Sequence, residues 1–138
     1  MITFEHINLV VKDMNKTLAF YQAAMPNWFI RGQGKQNWYG TERKWLHFGN
    51  DFQYLAFNDN GLGENRELKT NNLGLAHFAF TTANLALLIK RFAAIGVEVD
   101  KVGEPTPYRK NAYFIDPNGY EVEFVEYSSD LAEQRNNY

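Results

Sequence analysis

The sequence predicts an α+β protein of two βαβββ modules, whose strands form a cupped mixed sheet with the helices on its outer face. Three observations carry this. Strand-period and helix-period apolar patterns occur in the order β-α-β-β-β, twice over. An offset of 71 residues relates the halves, matching His6 to His77, Ile7 to Phe78, Leu9 to Phe80, Leu18 to Ile89, Tyr21 to Phe92 and Ala23 to Ala94. Turn and cap residues fall between the periodic runs where such connections need them.

In the first half, residues 2–11 alternate as a strand, Asp13 caps a helix carrying Leu18, Tyr21, Ala24 and Met25, and Pro26 ends it. Strands are expected over Asn27–Gly34, Arg43–Gly49 and Phe52–Asn58, with Gly32-Gln33-Gly34 as a loop and Asn50-Asp51 as a tight turn. In the second half, Leu75–Thr81 is a strand and Asn84 caps a helix with Leu85, Leu88, Ile89, Phe92 and Ala93. Gly96 closes that helix. Strands follow over Val97–Val102, Tyr108–Ile115 and Tyr120–Tyr127, the last two joined by the turn Asp116-Pro117-Asn118-Gly119. The chain thus reads as one domain over 1–138: a module at 1–58, a polar linker at 59–73, a module at 74–127 and a polar tail at 128–138.

Composition narrows the function. Apolar residues are 45% of 138, enough for a core, and cysteine is absent, which removes disulfides, thiolate ligands and cysteine nucleophiles. The formal net charge of −2 lacks the basic excess of a nucleic-acid binder. No apolar stretch approaches a membrane span, and MITFEHINLVV lacks the pattern of a secretory signal. The expected partners are a small molecule and a second copy of the chain, in the cytoplasm. No P-loop, GxGxxG or GxSxG motif is present.

Strand parity then selects residues. Side chains alternate between the faces of a sheet. With Ile7, Leu9 and Val11 on the helix side, His6 faces the other way. His77 does the same against Phe78 and Phe80, and Glu121 and Glu123 do so against Val122 and Phe124. Two imidazoles and a carboxylate on one concave face form a set suited to a divalent metal with open positions. A single strand histidine is more often an ordinary hydrogen-bonded residue, and a glutamate pair is often a solvated strand face. The histidines are singled out because they occupy the same place in both halves. His47 and Trp45 share a strand face, Tyr54 lies in the last strand of the first half, and Tyr113 shares a face with Arg109 and Asn111. His47, Tyr54 and Tyr113 are candidate proton donors or acceptors. Trp45 and Phe52 are candidate pocket walls, and Arg109 a candidate holder of an anionic substrate.

The stretches HINLVVKDMNKTLAFYQ, HFAFTT and YFIDPNGYEVEF resemble the vicinal oxygen chelate superfamily, which includes glyoxalases, fosfomycin-resistance proteins, extradiol dioxygenases and bleomycin-resistance proteins. The resemblance spans about Ile2 to Tyr127. It implies a glyoxalase-like fold, a homodimer with modules paired within or across chains, and a divalent ion (iron, manganese, nickel, cobalt or zinc) held by His6, His77 and Glu123. It implies chelation of neighbouring substrate oxygens, in lyase, isomerase, transferase or dioxygenase chemistry. A further glutamate found in glyoxalases falls, by strand matching, on Tyr54. The alternative implied by the bleomycin-resistance members is a metal-free module that binds and sequesters a small molecule.

Overall fold

The computed structural model describes all residues from Met1 to Tyr138. The chain forms two compact units, Met1–Glu64 and Asn65–Tyr138. The first contains β1 (His6–Val10), α1 (Met14–Ala24), β2 (Phe29–Trp38), β3 (Thr41–Gly49) and β4 (Tyr54–Asn58). The second contains β5 (Phe78–Thr81), α2 (Leu85–Ala94), β6 (Lys101–Val102), β7 (Arg109–Ile115), β8 (Glu121–Tyr127) and the single turn α3 (Ala132–Arg135). The strand orders are β1-β4-β3-β2 and β5-β8-β7-β6. In each unit the first strand runs parallel to the last and the remaining pairs are antiparallel. The repeat seen in the sequence is therefore a repeat of topology.

Local chemistry explains the elements. The side chain of Asp13 accepts from the Lys16 amide at 2.9 Å, and that of Asn84 accepts from the Leu87 amide at 2.9 Å, so each helix starts with an orphan donor satisfied. Gly96 takes φ +78° just past α2, the left-handed geometry that glycine closes without strain. Asp116 Oδ1 accepts from the amides of Asn118 and Tyr120, at 2.7 and 3.0 Å, and fixes the β7–β8 turn.

One face of each sheet is sealed by its helix. In the first unit Tyr21 stacks on Phe57 at 5.3 Å, with Leu9, Leu46, Phe48 and Leu55 buried around it. In the second, Phe92 meets Phe114 at 4.4 Å and Phe124 at 5.8 Å, with Leu85, Leu88 and Val122. These aromatic contacts add to the burial of their area.

Several expectations need correction, among them the strand expected over Leu75–Thr81, which begins only at Phe78. The first hairpin is longer than predicted: β2 continues through Gly32-Gln33-Gly34 to Trp38, and Tyr39-Gly40, at φ 51° and 84°, make the turn. Two consecutive positive φ values suit the right-handed twist of a hairpin. A tyrosine in the first of these places carries no turn signal in sequence. The Asn50-Asp51 turn is a wider loop closed by Asn50 Oδ1, which accepts from the Phe52 and Gln53 amides. The strand expected over Val97–Val102 shrinks to Lys101–Val102. The tail also carries α3, and Arg135 packs over the Tyr127 ring at 4.3 Å.

Phe92 is fully buried at the centre of an aromatic cluster. Phe92→Ala is expected to lower the unfolding free energy by about 3–5 kcal/mol, read from urea denaturation.

Candidate functional site

The second sheet's face opposite α2 carries a polar set. β8 presents Glu121 and Glu123, β7 presents Arg109, Asn111 and Tyr113, β6 adds Lys101, and His77 stands one residue before β5. Register explains the grouping: Glu123 lies opposite Tyr113 on β7 and Ala79 on β5.

Glu123 is the centre. It is 3% exposed, yet its Oε1 accepts from Arg109 Nη2 at 2.8 Å and from Asn111 Nδ2 at 2.5 Å. Oε2 points to His77, 3.3 Å from Nε2. Burial pushes the carboxyl's pKa up, but the bonds from Asn111 and Arg109 and the nearby His77 outweigh it. The net value lies below the ordinary 4.5. Glu123 is therefore an ionised carboxylate with one oxygen engaged and the other facing an imidazole. Gly103 makes this possible, since any Cβ there would collide with the Asn111 amide.

The neighbours are also paired. Lys101 Nζ meets Glu121 Oε1 at 2.6 Å and lies 4.7 Å over the Tyr113 ring. Glu121 Oε2 is 3.7 Å from His77 Nδ1, an ion-pair distance rather than a hydrogen bond. Tyr113 packs edge-on to His77 at 5.5 Å. Burial, then Glu123, raises the phenol's pKa and keeps it protonated. Arg109 is raised too: burial opposes its charge, but Glu123 more than compensates. Its Nε is buried without a hydrogen-bond partner, as is Thr106 Oγ1.

The first sheet's open face is aromatic. His6 stacks on Tyr54 at 4.6 Å, Tyr54 meets His47 at 4.6 Å, and His47 meets Trp45 at 5.0 Å. His6 Nδ1 is 2.8 Å from Glu5 Oε2. Asn58 Nδ2 donates to Asn8 Oδ1 at 2.6 Å. Burial, then the charges of His6 and Arg31, lower the His47 pKa against the opposing pull of Glu5. Phe52 sits in the β3–β4 loop, 83% exposed, and joins none of these contacts. A cavity of about 690 Å³ in this unit lies on the helix side, between α1 and β2–β3. It reaches Trp45 but not His6, His47 or Tyr54.

The structure thus brings His77, Glu123, Tyr113 and Arg109 together in one unit, and His6, Tyr54, His47 and Trp45 in the other. No group of three His, Asp or Glu side chains with metal-holding geometry is formed. The register also revises the matching of Tyr54. His6 pairs with Tyr54 and Asn8 with Ala56, while Ala79 pairs with Glu123. The first-unit counterpart of Glu123 is therefore Ala56, and Tyr54 corresponds to Glu121. Sequence reasoning missed Lys101, Asn111 as a carboxylate partner, and Arg31. Asn111 was legible, since it shares strand parity with Arg109 and Tyr113.

The Glyoxalase/Bleomycin resistance protein/Dioxygenase superfamily profile matches residues 3–124. The chain belongs to that superfamily. Solved structures agree on the fold. The crystal structure of SMU.1112c is 21% identical with a TM-score of 0.73, covering 91% of this chain and 99% of that one. A glyoxalase family protein from Bacillus cereus is 11% identical with a TM-score of 0.76, over 94% and 96% of the two chains. The E126Q mutant of the fosfomycin resistance protein FosX from Listeria monocytogenes is 26% identical with a TM-score of 0.71, over 98% of each chain. It was solved with Mn(II) and 1S,2S-dihydroxypropylphosphonic acid. A search of curated proteins finds no match. No helix of this superfamily member is long and apolar enough to cross a membrane.

Glu123's charge is linked to folding. Its contribution is complete above its ordinary value of 4.5 and fades as pH falls through its depressed folded value. Asn111→Leu removes one donor, so the Glu123 pKa is expected to rise, read by carboxyl carbon NMR. At neutral pH the loss in urea stability is about 2 kcal/mol, and this gap narrows below pH 4.5.

Proposed function

We propose that this superfamily member is a divalent-metal-dependent enzyme acting on a small substrate through neighbouring oxygens, with His6, His77 and Glu123 as ligands. The observation that carries the reading is the pair His77 Nε2 and Glu123 Oε2, 3.3 Å apart. Two donors each at about 2.0–2.2 Å from one ion in adjacent positions are separated by roughly this distance. The chemistry of the set also fits: the carboxylate is held ionised, and its second oxygen is engaged elsewhere. His6, in the first unit, is the third ligand, supplied by the same chain or by its partner in a cytoplasmic homodimer. The Mn(II)-bound FosX relative supports a divalent ion. Iron, manganese, nickel, cobalt and zinc all suit two imidazoles and a carboxylate.

A bound ion would supply Lewis acidity to the substrate oxygens. The chain's own groups do the rest. Arg109 and Asn111 keep Glu123 charged and fixed in place. The Tyr113 phenol, held protonated, donates a hydrogen bond or a proton. His47, with its pKa lowered, is neutral near pH 7 and accepts one. Trp45 and Tyr54 wall the face on which His6 stands. Lyase, isomerase, transferase and dioxygenase chemistry all begin from such an arrangement.

A second reading is a metal-free binding module. The absence of a carboxylate at Ala56, where the second unit has Glu123, favours it, as does the neutralisation of Glu121 by Lys101 and of Glu123 by Arg109.

Elemental analysis of tag-free protein decides between them. About one divalent ion per chain is expected, lost in the His6→Ala/His77→Ala variant, whose circular dichroism stays native. Iron or manganese would direct assays to oxygen chemistry, and nickel, zinc or manganese to isomerase, lyase or transferase chemistry. Protein that takes up none of the five metals would leave the binding module as the function.

A further inference from the structure

The first unit's open face holds two arginines without an ion pair: Arg43 lies 4.0 Å over Trp38 toward the end of the hairpin, and a backbone irregularity places Arg31 beside Tyr54. β2 and β3 pair Ile30 with Phe48 and then Gly32 with His47, so two steps on β2 match one on β3. Arg31 is the extra residue of this β-bulge. Bulges redirect a side chain at the expense of regular pairing, and they concentrate beside active sites. Here the guanidinium lies 4.5 Å over the Tyr54 ring, and Tyr54 in turn stacks on His6. Further along the same strand Gly32 and Gly34 bear no side chains, and the Trp45 indole lies against them; a Cβ at Gly34 would stand a tight 3.0 Å from it, and one at Gly32 an ordinary 3.6 Å.

Arg31 differs from the cations beside Glu121 and Glu123. Arg109 is spent on Glu123 and Lys101 on Glu121. On Arg31's own face, Glu5 is engaged with His6. Arg31 has no acidic side chain within ion-pair distance, and its contact is the face of an aromatic ring. Ring stacking engages the flat side of a guanidinium and leaves its in-plane N–H donors free. Such a planar fork matches the two oxygens of a carboxylate, phosphate or phosphonate.

We propose that Arg31 is a specificity-determining residue that binds the anionic oxygens of the substrate, so that this protein acts on small carboxylates or phosphonate- or phosphate-bearing molecules. The proposal rests on the reading above that a small molecule occupies the face carrying His6. Tyr54 is the platform that holds the guanidinium, and the bulge sets its reach.

The test is equilibrium binding of acetate, methylphosphonate and uncharged acetamide to wild type, Arg31→Met and Arg31→Lys. Calorimetry and the Tyr54 ring resonances are read in EDTA and again with Mn(II). Saturable binding of acetate or methylphosphonate, but not acetamide, is expected in wild type, and the tighter anion identifies the substrate class. Arg31→Met should weaken it at least about tenfold, with Arg31→Lys between the two, while Mn(II) affinity stays unchanged. Native circular dichroism and an unchanged melting profile would show that the variants fold. Undiminished anion binding in Arg31→Met, equal binding of acetamide, or no saturable anion binding in wild type under either condition would overturn the proposal. Failure of wild type to bind Mn(II) would count against manganese as the metal and leave the proposal standing, because the EDTA titration still reports on Arg31.

Discussion

The packing of one aromatic side chain from each helix onto its sheet is the constraint from which the rest follows. Tyr21 on Phe57 and Phe92 on Phe114 and Phe124 seal one face of each four-stranded sheet. Strand residues alternate, so every second side chain is committed to that apolar layer and its neighbours must face the other way. Val122 and Phe124 are held in the core, which obliges Glu121 and Glu123 to share the opposite face. A one-residue slip of β8 would drive both carboxylates beneath α2 and expose two core side chains. The core thus specifies the polar face without touching it.

A buried carboxylate is costly unless donors converge on it. Glu123 meets this condition with two residues of the adjacent strand, Arg109 and Asn111, whose side chains share a face because they are two positions apart. Both bonds go to the same oxygen. That asymmetry matters more than the number of bonds, since it leaves Oε2 directed at His77. Had the donors been split between the oxygens, each oxygen would have one acceptor site already occupied.

Much of this was legible in the sequence because it depends on periodicity. The alternation of Ile7, Leu9 and Val11 with His6, and of Phe78 and Phe80 with His77, places the histidines on the open faces, and the contacts of His6 with Tyr54 and of His77 with Glu121 and Glu123 agree. The illegible parts are those where the period breaks or where distant residues meet. A bulge at Arg31 shifts parity by one residue, and no local residue type announces it. Tyr39 turns the hairpin at positive φ, where a sequence reader looks for asparagine or glycine. Lys101 reaches Glu121 across the β6–β7–β8 arrangement, which only the three-dimensional register reveals. The matching of Tyr54 with Glu123 erred for a related reason: equal strand number does not mean equal register.

The corrected register gives the two halves different chemistry on a shared topology. Where the second unit has Glu121 and Glu123, the first has Tyr54 and Ala56. Loss of both carboxylates removes the anionic character of that face, and Tyr54 provides instead a ring on which His6, His47 and Arg31 assemble. A cation over a ring draws on the ring quadrupole, and the attraction does not consume the cation's hydrogen-bonding capacity. The second unit thus offers oxygen and nitrogen donors suited to a cation, and the first offers a cation and aromatic surface suited to an organic anion.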